Sequence, residues 1–562
     1  MKRCCFVFAA TAVVAICAMA SGCESEPTVT EESVVQLGQA RGQLYRYTVA
    51  TATQLSVASV VREGRKLAIA IDGKPGPWLD RVDLGHFTFG PNGKRHAYVG
   101  TKGRKKYLFV DHEQVAQVKT KIREWDAHTG VVFSKNGEEY VYREFSWLPK
   151  RRRFIVGGKV LPVPQRMDSI YLSDDGQHYA YSVTPGRKDR KGGVFLDGKE
   201  LPTPDEGRAV WLRFAPEGGN LVYIWEYNDG SQEIVIGGKR GLRKDGATVM
   251  ARGSSLSKYG PVVFSEDGQH IAYRIIRDDP PSAQVIVDGK PDEPVREVVD
   301  ASFTFHSDGT KYAYVADNGS GRFLVIDGKP VSSEYRYLSK VIFSPGQGRV
   351  FSQAQRDDKS FLLIDGKELG PYTSISSLVF SPDGKHYAFV DRDDKTTLVV
   401  DGEGHEQPTD RIPYLKYAPD GRLVYMFSEP YDREFPRAER KSTLVIDGES
   451  ITADNPNFRP IFSEDGDHVA YGTGRPTSLD RYVVDGKVFP TVVDPRNPSF
   501  SPEGEHFVYG GGVSSEQMRV RQLFVDGKPA GSTYDQVGLF TSKCVFQSED
   551  TCKVLAERDN MI

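Results

Sequence analysis

Two short patterns of apolar and polar residues alternate along almost the whole chain. The first is an apolar strand, a Ser-Pro-Asp-Gly turn and a second apolar strand, as in FSPDGKHYAFV at 380–390. The second is an apolar run closed by Asp-Gly, as in LVVDG at 398–402. Asp-Gly between apolar runs predicts a tight hairpin, because a type I′ turn needs positive φ at both central residues. Each unit is therefore predicted to be two hairpins that form a four-stranded antiparallel sheet.

The spacing of both patterns is regular. Clear copies of the first pattern lie at 89–99, 264–273, 305–314, 462–471 and 500–509. From Gly73 to Gly527 the second pattern covers 454 residues in eleven intervals of about 41 residues. A period of 40 to 45 residues is typical of the four-stranded blades of a β-propeller.

The strand after the first turn carries a small residue followed by a large aromatic one, such as Ala388 and Phe389. Such a pair suits a sheet that is packed on both faces. The turn at Ser381 to Gly384 and its flanking strands resemble the TolB-like, WD-repeat-like β-propeller repeat of bacterial periplasmic proteins. The resemblance covers roughly residues 60 to 556 and implies a propeller fold. It implies little about function, because propellers have many unrelated activities.

We predict an all-β chain of about twelve four-stranded blades in two tandem six-bladed propellers, at 43–315 and 316–562. In this scheme the element Leu67–Gly73 completes the hairpin at 305–314, and the hairpin at Cys544–Leu555 closes the second ring. Twelve blades exceed the four to eight of an ordinary ring, which favours two rings. A division into seven and five blades, or one large open ring, are the alternatives.

The N-terminal segment predicts export. Lys2 and Arg3 precede an apolar or small stretch that ends at Cys23, which is the pattern of a signal peptide. Residues 1–22 resemble a bacterial lipoprotein signal, which implies that Cys23 carries a lipid. A plain secretory signal cut near Gly22 is the alternative. Residues 23–42 are then the lipidated cysteine and a tether, and the protein is expected to be an outer-membrane lipoprotein that faces the periplasm or the cell surface.

Charge and cysteine content narrow the function further. The 73 Lys and Arg against 76 Asp and Glu leave a formal charge of −3, which is too balanced to predict a nucleic-acid partner. After export, Cys544 and Cys552 are the cysteines left besides Cys23. They flank a predicted hairpin end, so either a disulfide or two free thiols fit the sequence.

The sequence contains no established catalytic or metal motif. Six histidines recur two or three residues after the turn glycine, which predicts a structural role at the start of a strand rather than one shared metal; they are His96, His178, His270, His386, His468 and His506. There is no HExxH, GxSxG or phosphate-binding loop. We therefore expect no cofactor and no metal, and we name no catalytic residue.

The connections between the second and third strands of each unit, such as 143–153, vary widely in length, and binding sites usually lie at such variable ends. We predict a binding surface there that combines aromatic and basic residues, which are enriched at interfaces: Trp147, Lys150, Arg151, Arg152, Arg153, Arg187, Lys188, Arg190, Lys191 and Trp225. Packing of Trp225 between blades is the alternative for that residue.

These patterns predict a monomeric, non-catalytic binding or assembly platform at the bacterial cell envelope. Its expected partner is an envelope protein or a cell-wall glycan. The alternative is a polysaccharide-active lyase or hydrolase with its site in a propeller funnel.

Overall fold

The computed structural model shows a chain built of β-strands, with no helix among the residues that it describes. Those residues are 13–18, 47–50, 55–71, 74–118, 131–147, 150–156, 159–161, 167–185, 192–204, 206–217, 219–241, 248–249, 260–278, 280–393, 395–409, 411–428, 442–453, 459–475, 478–490, 492–512, 521–534, 536–537, 545–548 and 551–557.

The strands are short, as the repeat predicts. Those before residue 119 are β1 (Val13–Ala18), β2 (Tyr47–Ala50), β3 (Leu55–Glu63), β4 (Lys66–Ile71), β5 (Lys74–Pro75), β6 (Arg81–Phe89), β7 (His96–Lys102), β8 (Lys105–Val110) and β9 (Glu113–Val118). The middle of the chain contains β10 (Val131–Phe133), β11 (Tyr140–Trp147), β12 (Lys150–Val156), β13 (Lys159–Leu161), β14 (Met167–Leu172), β15 (Tyr179–Val183), β16 (Gly193–Leu196), β17 (Lys199–Glu200), β18 (Arg208–Phe214), β19 (Leu221–Glu226), β20 (Gln232–Ile236), β21 (Lys239–Arg240), β22 (Val262–Phe264), β23 (Ile271–Asp278), β24 (Pro281–Val287), β25 (Lys290–Pro291), β26 (Glu297–Val298), β27 (Thr304–Phe305), β28 (Tyr312–Asp317), β29 (Arg322–Ile326), β30 (Lys329–Pro330), β31 (Tyr337–Leu338), β32 (Ile342–Phe343), β33 (Val350–Arg356), β34 (Lys359–Ile364), β35 (Lys367–Tyr372), β36 (Ser376–Phe380), β37 (Tyr387–Arg392), β38 (Thr396–Val400) and β39 (Glu403–Gln407). The C-terminal part contains β40 (Tyr414–Tyr417), β41 (Leu423–Ser428), β42 (Ser442–Ile446), β43 (Glu449–Ala453), β44 (Ile461–Phe462), β45 (Val469–Arg475), β46 (Ser478–Val484), β47 (Lys487–Val488), β48 (Val493–Phe500), β49 (Phe507–Gly512), β50 (Arg521–Val525), β51 (Lys528–Tyr534), β52 (Gln536–Val537), β53 (Val545–Ser548) and β54 (Thr551–Glu557).

Consecutive strands pair into antiparallel sheets. In the described part of the chain, ten sheets take four successive strands each, from β2–β5 to β48–β51, and the sheets β26–β30 and β31–β35 take five. A thirteenth sheet joins β1, β52, β53 and β54. The predicted all-β class and the predicted four-stranded antiparallel sheets are therefore confirmed.

The tight turns follow from their Asp-Gly pairs. Asp401 has φ 49° and Gly402 has φ 92°, so both central residues take the left-handed conformation that a type I′ turn requires. The carboxylate of Asp401 accepts a hydrogen bond from the backbone N–H of Tyr387 at 3.0 Å. This bond ties the second turn of the sheet to its first hairpin.

A serine side chain forms hydrogen bonds within the first turn of several sheets. The hydroxyl of Ser381 donates to Asp383 at 2.7 Å and accepts from the backbone N–H of His386 at 3.0 Å. The same pair of bonds recurs at Ser173, Ser265 and Ser463. These side-chain bonds satisfy backbone groups that a turn leaves without a ladder partner.

The core lies between neighbouring sheets. On β28, Tyr314 and Ala316 pack on Val285 of the preceding sheet. Ala313 and Val315, one residue out of phase, belong to the core shared with the following sheet. Successive side chains of a strand point to opposite faces, so both faces of this sheet are buried. The small-then-large pair of the repeat places one residue on each face.

The chain divides into two compact units. One consists of Met1–Thr129 together with Gln407–Ile562, and contains β1–β9 and β40–β54. The other is Gly130–Glu406 and contains the strands from β10 to β39. The predicted boundary between residues 315 and 316 falls inside β28, within the second unit. The number of blades and the tandem arrangement stay predictions.

The predicted completion of the 305–314 hairpin by Leu67–Gly73 is wrong. Strand β28 pairs with β29, which follows it directly along the chain. Strand β4 pairs with β3 and β5. Local pairing closes a much shorter loop, so it loses less chain entropy than pairing across more than 200 residues. Strands β2 and β3, between residues 47 and 63, complete the sheet of β4 and β5. They were not predicted from the sequence.

The terminal sheet includes part of the predicted signal segment. Strand β1 lies within residues 1–22 and pairs with β54, placing Cys17 opposite Cys552 in the register. Cys552 is also opposite Phe546 on β53. Cys544 lies outside the described residues, so a Cys544–Cys552 disulfide stays a prediction.

Candidate binding surface

The segment 143–153 was expected to be a long connection, but most of it is strand. Strands β11 and β12 continue pairing to their ends, where Trp147 is opposite Lys150. Arg151, Arg152 and Arg153 follow along β12. Continued pairing satisfies the backbone N–H and C=O groups that a loop would leave to water. The predicted aromatic and basic residues are therefore carried by a hairpin end.

The other predicted residues have different outcomes. Arg187, Lys188, Arg190 and Lys191 lie outside the described residues. Trp225 is fully buried, between the sheet β14–β17 and its own sheet, β18–β21. Its indole N–H donates to the carbonyl oxygen of Glu206 at 2.9 Å. The packing alternative for Trp225 is therefore the correct one, and the prediction that it binds a partner is wrong.

A polar cluster lies close to Trp225, where β19 turns into β20. The hydroxyl of Tyr227 donates to buried Glu233 at 2.6 Å, and the guanidinium of Arg240 donates to the same carboxylate at 3.0 Å. Burial, followed by the hydrogen bond to Glu233, raises the pKa of Tyr227. Two donors from adjoining parts of the sheet therefore hold the carboxylate of Glu233 in place.

A second cluster joins strands β33, β34 and β35 to the segment between β30 and β31. Arg356 donates two hydrogen bonds to Glu368, at 3.0 and 2.9 Å, and the hydroxyl of Tyr335 donates to the same carboxylate at 2.6 Å. The guanidinium of Arg356 also lies over the rings of Tyr335 and Phe361, at 5.1 and 4.9 Å. Burial and the bond to Glu368 raise the pKa of Tyr335 to about 12. These contacts hold the cluster rigidly on three strands.

Arg322 and Tyr337 lie beside this cluster, and Tyr337 is exposed. The guanidinium carbon of Arg322 is 5.8 Å from the centre of the Tyr337 ring. Its contact with Asp317 is long, at 3.7 Å, and among the described residues its terminal nitrogens have no hydrogen-bond acceptor. Tyr337 is 47% exposed. Two backbone hydrogen bonds between Arg322 and Tyr335 join the start of β29 to the segment that leads into β31.

This arrangement can bind a partner. A half-buried guanidinium beside an exposed aromatic ring can donate to a carboxylate and contact an apolar group together. Arg322 and Tyr337 were not predicted as binding residues, because neither lies in a long connection. The signal that could have found them is the run Tyr335-Arg336-Tyr337, where aromatic and basic residues lie side by side.

The recurring histidines are structural, as predicted. The imidazole Nδ1 lies 2.7 to 2.8 Å from the carboxylate of the second-turn aspartate in five sheets. The hydrogen bond to Asp485 raises the pKa of His468. Within the part of the chain that the structure describes, no group of three or more His, Cys, Asp or Glu is arranged to hold a metal ion.

His96 departs from this rule. Its ring is buried, its Nδ1 is 3.7 Å from Asp111, and its Nε2 is 3.4 Å from Nδ1 of His112. The hydroxyl of Tyr98 lies 3.1 Å from the same nitrogen of His112. Burial, and secondly the charge of His112, lower the pKa of His96 to about 4.

Comparison with known proteins gives no family. No family model matches the chain, and no curated protein matches it. Among solved structures, a eukaryotic initiation factor is 12% identical with a TM-score of 0.28, covering 58% of this chain and 90% of that one. The tricorn protease is 12% identical with a TM-score of 0.26, and the match covers 83% of this chain and 56% of the protease. The β-propeller domain of the Trilobed protease from Pyrococcus furiosus is 13% identical with a TM-score of 0.22, covering 58% and 94%.

These likenesses are too distant to indicate an activity. Among the described residues, no helix is long and apolar enough to cross a membrane.

Proposed function

We propose that this protein is a non-catalytic binding or assembly platform at the bacterial cell envelope. The proposed scaffold is a β-propeller of about twelve blades, arranged as two tandem six-bladed rings. Support for blades comes from the 41-residue repeat and from consecutive antiparallel sheets that pack face to face, which is how propeller blades pack. A TolB-like repeat and a lipid anchor at Cys23 belong to the same proposal.

One observation carries the binding role. Half-buried Arg322 and exposed Tyr337 lie on segments that are held beside the Arg356–Glu368–Tyr335 cluster. Such a pair loses little conformational entropy when it binds, because its supporting side chains are already ordered. Arginine and tyrosine are also the residues most often found at interface hot spots. The hairpin end with Trp147 and Lys150 is the second proposed contact.

Crosslinking in intact envelopes followed by purification would capture a protein partner, and sedimentation with isolated cell-wall sacculi would detect a glycan partner. Arg322→Ala combined with Tyr337→Ala should then weaken binding by about thirtyfold, the effect of losing a hot spot of about 2 kcal/mol. A second variant combines Trp147→Ala with replacement of Arg151, Arg152 and Arg153 by Gln. It should bind more weakly, and its affinity should depend less on salt concentration, because three charges are removed. Both variants should keep the wild-type melting temperature.

A matched control is Lys395→Ala, which removes an exposed ion pair with Glu406 in the same unit. This variant should bind as wild type does. Wild-type binding by both test variants would reject the proposed surface, and hydrolysis or cleavage of a glycan by the purified protein would replace the platform with the enzyme alternative.

The anchor is tested separately. Cys23→Ser should move the protein from the membrane fraction to the soluble periplasmic fraction, because the lipid is the proposed membrane attachment. Fractionation followed by immunoblotting measures the shift, and Cys552→Ser is the control that should stay membrane-bound. If Cys23→Ser remains in the membrane fraction, the lipid anchor is wrong.

A further inference from the structure

His112 occupies a position that the repeat gives to glycine. Asp111 has φ 49° and His112 has φ 68°, so this turn has the same left-handed geometry as the Asp-Gly turns. A residue with a Cβ is strained in that conformation, and glycine is not. The imidazole of His112 must therefore make contacts that offset the strain.

Those contacts depend on the absence of a side chain at Gly76. A Cβ added to Gly76 would lie 2.1 Å from Nδ1 of His112, so the ring fits there only because residue 76 has no side chain. Gly76 follows β5 of the first described sheet, and His112 follows β8 of the next. The imidazole thus fills a notch between two sheets, whose cores also meet through Ile69 and Tyr98.

The equivalent notch in another pair of sheets is filled by a carboxylate. Gly76 donates its N–H to Ile69, and Asp292 makes the same backbone bond to Val285. The carboxylate of Asp292 accepts from the hydroxyls of Tyr312 and Tyr314, at 2.6 and 3.1 Å. Tyr314 is thus bonded to a residue of the neighbouring sheet, whereas Tyr98, at the same place in its own sheet, is bonded to His112 of that sheet.

We propose that His96 and His112 form an acid-sensitive contact between the sheets β2–β5 and β6–β9, which is closed while both rings are neutral and opens when the pair takes up protons. The facing nitrogens of the two rings can share one proton but cannot both carry one, because two N–H donors would then oppose each other at 3.4 Å. Neutral His112 accepts at Nδ1 when its ring proton is on Nε2, which is buried and has no hydrogen-bond partner. A second proton on Nδ1 removes the acceptor of Tyr98 and, when His96 is charged too, puts two buried positive charges side by side.

The charge of Asp111 raises the pKa of both histidines, but burial outweighs it. Asp111 is the carboxylate that faces both rings, and it is already held by Arg95 at 2.8 Å. Arg95 itself disfavours a charge on His96. Tyr98 is the other titratable group in contact, and burial raises its pKa. From the first sheet, Gly76 presents only backbone.

The direction of the pH effect follows from the two histidines. Burial lowers the pKa of His96 to about 4 and also lowers the pKa of His112. A histidine whose folded pKa is depressed stabilises the closed state fully above its ordinary pKa of 6.5, and this stabilisation is lost as the pH falls toward about 4. From His96 alone, the closed-to-open equilibrium should fall about twentyfold between pH 7 and pH 5.

Two measurements on the wild-type protein test the inference. Exchange of the imidazole C2 proton, followed by mass spectrometry, should give His96 a lower pKa than His270 and His468. Amide exchange at 66–76 and 96–112, corrected for intrinsic rates, should increase about twentyfold from pH 7 to pH 5. An ordinary pKa for His96, or no pH-dependent increase in these segments, would overturn the proposal.

Variants locate the effect in the notch. His112→Gly restores the residue that the repeat uses, and should reduce the pH-dependent part of the exchange because it removes the second buried imidazole, while burial of His96 keeps the remainder. Gly76→Ala should displace the ring and give fast exchange already at pH 7. His270→Gln, at an exposed repeat histidine, is the matched control and should keep the wild-type pH response. A full pH response in His112→Gly would show that other groups are responsible.

Discussion

Replacing Trp225 with alanine should destabilise the second compact unit by about 3–5 kcal/mol, the range for removing a large buried aromatic side chain. The indole is fully buried between two sheets and its N–H is bonded to Glu206. The substitution leaves a cavity, and the carbonyl of Glu206 loses its donor. Urea unfolding followed by tryptophan fluorescence and circular dichroism measures the loss.

Two matched variants separate the contributions. Trp225→Phe keeps most of the packing and should lose only about 1–2 kcal/mol, since it removes chiefly the hydrogen bond and part of the ring. Trp78→Ala, at a tryptophan that is 37% exposed, should have a much smaller effect than Trp225→Ala. Wild-type stability for Trp225→Ala would contradict the core position of this residue.

The second large effect is expected at Gly384. Gly384 and Gly421 both end a Pro-Asp-Gly turn and both have positive φ, 67° and 92°. A Cβ at Gly384 would lie 1.8 Å from the backbone oxygen of Pro345, whereas a Cβ at Gly421 would meet nothing within 4 Å. Gly421→Ala should therefore lose about 1–2 kcal/mol, the loss expected from its backbone conformation.

Gly384→Ala should lose about 2–5 kcal/mol, because an overpacking penalty of about 1–3 kcal/mol is added to the same conformational term. The clash is with a backbone atom of the neighbouring sheet, which cannot move away without disturbing that sheet's own turn. Urea midpoints of the two variants, compared side by side, measure the difference. Equal losses for the two alanine variants would contradict the close approach of these turns.

The fold class was readable from the sequence because it depends on local rules. The turn at Asp401 and Gly402 needs two positive φ angles, and few residue pairs allow them. The alternation of Ala313 and Tyr314 marks a sheet that is buried on both faces, as the structure confirms. The structural role of histidines such as His270 also followed from their repeated position.

The candidate surface was less predictable. Residues 143–153 looked like a variable loop, but cross-strand pairing continues through Trp147 and Lys150. Trp225 looked like a binding residue, because nothing in its own segment shows which neighbour covers it. Arg322 and Tyr337 are brought beside the Arg356–Glu368 pair only when two sheets pack together.

The sequence by itself determined the repeating unit, the turn chemistry and the buried face of each strand, because these depend on residues close together along the chain. The tertiary structure decided which sheets share a core, which glycines touch a neighbour and where His112 finds its space. Those features depend on distances between segments far apart in sequence, such as Gly76 and His112 or Gly384 and Pro345. The local sequence pattern around one residue does not determine such a distance, because the distance depends on how two sheets pack against each other.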